Sequence, residues 1–154
     1  EKTPMMLPDT YTWNHGKGYV LYMPQHKHGG TFTHMVGVIG CGPIIYEALK
    51  AALELEKEGI GVIVANMPQV KPLDTGFLLR FVKDVRAIVT VEEHQVAGGL
   101  GSAVAEYLGE HHPIRVGKVG VQDRFGQSGK VTELYDEYGI SSKHIAQKIR
   151  ETLH

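Results

Sequence analysis

The chain has 154 residues, 42% of them hydrophobic, with 16 Lys plus Arg against 17 Asp plus Glu and a formal net charge of -1. This suits one domain with one core and leaves no electrostatic footprint for nucleic acid or for an anionic membrane. No apolar run approaches the ~20 residues of a membrane span, no signal-peptide pattern opens the chain, and the lone Cys41 excludes an internal disulfide, so a soluble, cytoplasmic setting is expected.

Residues 1–17, with Pro4, Pro8, Asn14 and Gly16, read as an extended connector. Residues 1–15 are expected to be a linker and 16–154 the domain; the absence of an initial Met suggests a piece of something longer. Gly18 to Met23 predicts a short strand from its β-branched and aromatic content, and Pro24 to Thr33 a polar surface loop carrying His26 and His28. From Met35 strands and helices alternate. Val36 to Gly40 has the continuous apolar character of a strand buried on both faces, and Pro43 suits a first helical position. The next helix buries Ile45, Ala48, Leu49, Ala52 and Leu55 and stops at Gly59.

Gly61 to Asn66 predicts another buried strand, followed by a short helix of roughly Asp74 to Val82, and Ala87 to Val91 a third strand. A helix is expected from about Val96 to Gly109, ended by His111-His112-Pro113; then come a strand over Ile114 to Val121, a loop over Gln122 to Lys130, a short helix near Thr132 to Tyr138 and a last helix from Ser141. Strands separated by helices of this length call for parallel pairing through right-handed crossovers. The expected fold is a three-layer α/β/α sandwich.

The densest stretch runs from Glu92 to Ala103. An apolar strand passes through Glu92, Glu93 and His94 into Gly98, Gly99 and Gly101, which open a helix. Such a turn lies at the ligand end of an open α/β sheet, where free N–H groups at a helix start favour an anion or a carboxylate. Two readings compete. Glu92, Glu93 and His94 form an acid/base set, at most two of them sharing a face because strand side chains alternate. Alternatively, one carboxylate caps the following helix and His94 makes a structural hydrogen bond.

Gly40-Cys41-Gly42 begins a dinucleotide fingerprint but has Ile45 in place of the third glycine and Asn66 where a ribose-binding acid would stand. Gly126-Gln127-Ser128-Gly129-Lys130 lacks the spacing of a phosphate loop, and nothing adjacent activates Cys41. His26 and His28, with His15 and His34 nearby, suggest metal binding without the carboxylate or thiolate partners that a site needs. Asp123-Arg124-Phe125-Gly126 offers either an anchor for a partner surface or an Asp123 to Arg124 network that only orders the loop.

Four segments stand in a specific order. They are Lys71-Pro72-Leu73-Asp74; Val89 to Glu106 with its Glu-Glu-His and Gly-Gly-Leu-Gly; Asp123-Arg124-Phe125-Gly126-Gln127-Ser128-Gly129; and Glu133-Leu134-Tyr135. Together they resemble the C-terminal domain of the transketolase family of thiamine diphosphate enzymes, over roughly residues 16 to 153. Related domains end 1-deoxyxylulose-5-phosphate synthase and the β chains of 2-oxo-acid dehydrogenases.

The resemblance implies a mostly parallel five-stranded sheet with an antiparallel first strand. It also implies a non-catalytic part of a ketol transferase acting on sugar phosphates. Thiamine diphosphate and a divalent metal would sit between pyrimidine-binding and pyrophosphate-binding domains, in the same chain or a companion subunit, and this chain would bind no cofactor itself. Its own work would be domain packing and assembly of a homodimer. Glu93, His94, Gly98, Gly99, Gly101 and Arg124 are the expected interface or anion contacts. The segment from Met23 to Thr33 is longer and richer in histidine than the short turn typical of that family. An autonomous enzyme taking a small anion at the Glu92 to Gly101 turn is the alternative from another class.

Overall fold

The computed structural model describes residues 6–7, 10–12, 14–25 and 32–154, so the expectations placed on His26 and His28 lie outside the described residues. Strands β1 (Tyr19–Tyr22), β2 (His34–Gly40), β3 (Ile60–Asn66), β4 (Ala87–Gln95) and β5 (Arg115–Val121) form one sheet in the order β1-β3-β2-β4-β5. The pairs β2–β3, β2–β4 and β4–β5 are parallel, and β1 runs antiparallel to β3 with Tyr19 opposite Asn66.

Alternation along the strands sends side chains to two faces. Val36, Val38, Val62, Val64, Val89 and Val91 pack against helices α1 (Ile45–Glu56) and α5 (Ser142–Leu153). Ile39, Ile63, Ala65 and Ile88 pack against α2 (Thr75–Phe81) and α3 (Leu100–His111). Both faces are covered, which is why the parallel strands read as unbroken apolar runs. The architecture is the three-layer α/β/α sandwich. Among the described residues no helix is long and apolar enough to cross a membrane.

The expected helix starts shift by a few residues where hydrogen bonds of the preceding turn set them. Pro43 precedes α1 by two residues, because Ile45 N–H and Tyr46 N–H first bond back to the carbonyls of Gly42 and Pro43. Asp74 is the N-cap of α2, accepting from Phe77 N at 3.1 Å, and also takes Gly18 N at 3.1 Å, which ties the approach to β1 onto this helix. Burial alone would raise the Asp74 carboxyl, but those N–H donors, with Lys17 and Arg80, hold it below its ordinary value.

Helix α3 begins at Leu100, not near Val96. Strand β4 continues through Gln95 past an irregularity after Val91, and Val96 N–H still bonds to Val121 O at 3.1 Å. Gly98, with φ +78, then turns the chain. At the other helical face, buried Glu47 of α1 accepts Ser142 N at 2.9 Å and pairs with Lys50 Nζ at 2.6 Å. A carboxylate 95 positions away in sequence therefore caps the start of α5.

Candidate functional site

The carboxyl ends of β4 and β5 carry the residues singled out by sequence. Glu92 lies on the α3 face with Thr90, and Glu93 on the α1 face with Val91, as alternation requires. Glu92 is 4% exposed and accepts Leu100 N at 2.8 Å and Gly101 N at 2.9 Å, one bond to each carboxylate oxygen. The two N–H groups at this helix start are thus held by the chain's own acid.

That seat explains the glycines. Gly99 and Gly101 are buried. A Cβ on Gly99 would overlap Glu92 Oε2 and stand 2.8 Å from Gln95 O; one on Gly101 would stand 2.5 Å from Thr90 Oγ1 and 2.7 Å from Lys118 Cδ. Gly98 is exposed, and its N–H donates to Ser102 Oγ at 3.0 Å. An external diphosphate does not fit here, because its donors are taken and a carboxylate already fills the place. Among the described residues no group of three or more His, Cys, Asp and Glu could hold a metal ion.

Thr90 Oγ1, beside this seat, is buried with no hydrogen-bond partner among the described residues. Replacing Thr90 by Val keeps the shape and removes the stranded hydroxyl, so T90V should gain about 1 kcal/mol. A urea midpoint that rises at unchanged slope checks this; a lower midpoint contradicts it.

His94 Nδ1 lies 3.1 Å from Gln95 O, the only hydrogen bond of its ring among the described residues, so no carboxylate polarises it and the acid/base set does not assemble. Burial, then the charges of Glu92 and Glu93, push the Cys41 thiol up and keep it protonated at neutral pH. Cys41 is therefore not an activated nucleophile.

Glu93 is exposed and accepts the hydroxyl of Tyr135 on helix α4 (Val131–Glu137). Burial and this carboxylate hold the Tyr135 hydroxyl well above its ordinary value, so it stays a neutral donor. Between the end of β4 and α4 lies a cavity of about 370 Å³ lined by Glu93, Gln127, Leu134, Tyr135, Tyr138 and Ile140, among others.

Of the two readings of this loop, the Asp123 to Arg124 network does not form among the described residues, and Arg124 pairs elsewhere. Arg124 donates to Glu137, Nη1 to the carbonyl at 3.0 Å and Nη2 to Oε1 at 2.5 Å, and its guanidinium sits 5.3 Å from the centre of the Tyr138 ring. The Gln95 amide braces the same loop, accepting Asp123 N at 2.7 Å and donating to Arg124 O at 3.1 Å, while Tyr138 OH donates to Phe125 O at 2.9 Å. Phe125 itself is 97% exposed. Leaving such a ring in water forgoes about 1.5–3 kcal/mol of burial.

Gln95, Tyr138 and Glu137 were not singled out from the sequence. Tyr135 and Tyr138 lie three apart, the spacing that puts helical side chains on one side, and this was the available signal.

A covered, mostly parallel sheet whose ligand-end turn is closed by its own carboxylate, with a braced aromatic loop beside it, defines a three-layer α/β/α domain. The family profile described as transketolase, C-terminal domain, matches residues 33–145, and the chain belongs to that family. It is 41% identical over 125 residues to the 6-deoxy-6-sulfo-D-fructose transketolase subunit SqwH of Clostridium sp. (strain MSTE9), which covers 81% of this chain and 38% of that subunit. It is 38% identical over 140 residues to 1-deoxy-D-xylulose-5-phosphate synthase of Syntrophus aciditrophicus (strain SB), covering 90% of this chain and 20% of that enzyme. A solved split-gene transketolase, described as an inactive beta4 tetramer, superposes with a TM-score of 0.84 at 38% identity, over 98% of this chain and 46% of that one. The chain thus spans less than half the length of each of these relatives.

Proposed function

We propose that the chain is the non-catalytic C-terminal domain of a thiamine diphosphate-dependent, transketolase-type transferase of the cytoplasm. In this reading residues 1–15 lead in as a linker and 16–154 form the domain. The enzyme moves ketol units between sugar phosphates, and its thiamine diphosphate and divalent metal are held by pyrimidine-binding and pyrophosphate-binding domains or a companion subunit. This domain packs against them and supports a homodimer. Glu93, His94, Gly98 and Arg124 supply contacts, while Gly99 and Gly101 act from inside by seating Glu92. The observation that carries the reading is that closed seat: Glu92 already occupies the helix start where an α/β domain would take a phosphate.

Identity of 38% to a 1-deoxy-D-xylulose-5-phosphate synthase favours, as a second reading, the same domain in an enzyme of that reaction. A calorimetric titration tests what the two share. The chain alone should give no saturable heat with thiamine diphosphate and magnesium and no ketol transfer, and both should appear when the companion domains are present. Binding or turnover by the chain alone overturns it.

A further inference from the structure

We infer that the cleft between the end of β4 and α4, together with Phe125, whose chain neighbours Arg124 and Gly126 line it, receives a companion domain of the same enzyme that brings an apolar pocket for Phe125 and a lysine or arginine for Glu93. The inference rests on the domain reading above and names the chemistry of the partner.

Phe125 is 97% exposed, yet the chain around it is not free. Asp123 N–H, Arg124 C=O and Phe125 C=O are each engaged by the side chains of Gln95 or Tyr138. A bulky ring on a braced backbone has little conformational freedom left to lose on capture, which is the economy of an interface anchor. The cleft beside it is walled by Leu134, Tyr135, Tyr138 and Ile140.

Charge selects the occupant. Arg124 is neutralised by Glu137 and lies over Tyr138. Glu93 meets only the hydroxyl of Tyr135, and neither Glu93 nor Asp123 has an ion-pair partner among the described residues. An incoming cation would be partly desolvated by the apolar walls, which strengthens its attraction to Glu93. A second copy presenting this same patch across a two-fold axis would instead set acid against acid.

Hydrogen exchange compares the intact enzyme with this chain alone. In the intact enzyme, residues 93–95 and 122–127 should exchange at least about ten-fold more slowly. F125A should abolish that protection. E93Q, whose amide oxygen still accepts from Tyr135, should weaken it and flatten its dependence on salt, while the unfolding midpoint of the chain alone stays unchanged. Equal exchange in both proteins, or protection indifferent to F125A and E93Q, overturns the inference and leaves the domain reading standing. Protection of the chain alone that grows with its own concentration assigns the surface to a second copy and also overturns it. A coding sequence with no companion domain or subunit defeats both.

Discussion

Replacing Glu92 by Ala should lower the stability of the domain by about 3 kcal/mol, because two buried N–H groups, those of Leu100 and Gly101, lose a charged acceptor. For a chain of this size the thermal midpoint should fall by about 6–12 °C. E92Q should fall between, since its carbonyl oxygen satisfies one N–H while its amide nitrogen faces the other. Circular dichroism melts of the three proteins give the order directly. If Ala and wild type melt together, the carboxylate is not what holds α3 to the sheet. The loss also bears on the contacts proposed for Glu93 and His94, which ride on the backbone that Glu92 pins.

Gly99 should tolerate substitution no better. G99A pushes a methyl into the Glu92 carboxylate and against Gln95 O, and the second neighbour is backbone that has little room to yield. A cost of about 3 kcal/mol is expected, comparable to the strongly disruptive core changes. Because both substitutions strike one hydrogen-bonded seat, they should not add. The E92A/G99A double variant should be more stable than the sum of the single losses implies, as removing the carboxylate relieves half of the overlap. Urea titrations of the four proteins measure the coupling. Strict additivity would show that Gly99 serves the turn for a reason unrelated to Glu92.

Most of the layer order was readable from local pattern. The valine-rich runs at 36–40, 61–66 and 87–91 could only be strands covered on both faces, and the helix-length segments between them demanded parallel crossovers. The Glu92–Glu93 pair is readable as a source of a capping carboxylate because acids before a helix answer its unpaired N–H groups, whereas the cap that Asp74 gives α2 is a finding of the structure. Local pattern alone starts α3 four residues too early, since Val96 and Ala97 continue an apolar pattern that belongs to the end of β4 and its turn.

The pairings at the site lay beyond reach of any local pattern. Arg124 stands next to Asp123 in sequence but bonds Glu137, thirteen residues on, and Glu47 caps a helix that begins 95 positions away. Periodicity reports which side of an element is apolar, a property of neighbours along the chain. Which acid meets which donor depends on distances set when the helices settle on the sheet, and hydrogen bonds and ion pairs reward only atoms that packing has brought within about 3 Å. So the amino-acid order alone committed this polypeptide to a covered parallel sheet with a glycine-lined turn at its carboxyl edge. Only the packed chain decided that Glu92 would close that turn and that Phe125 would face outward on a braced loop.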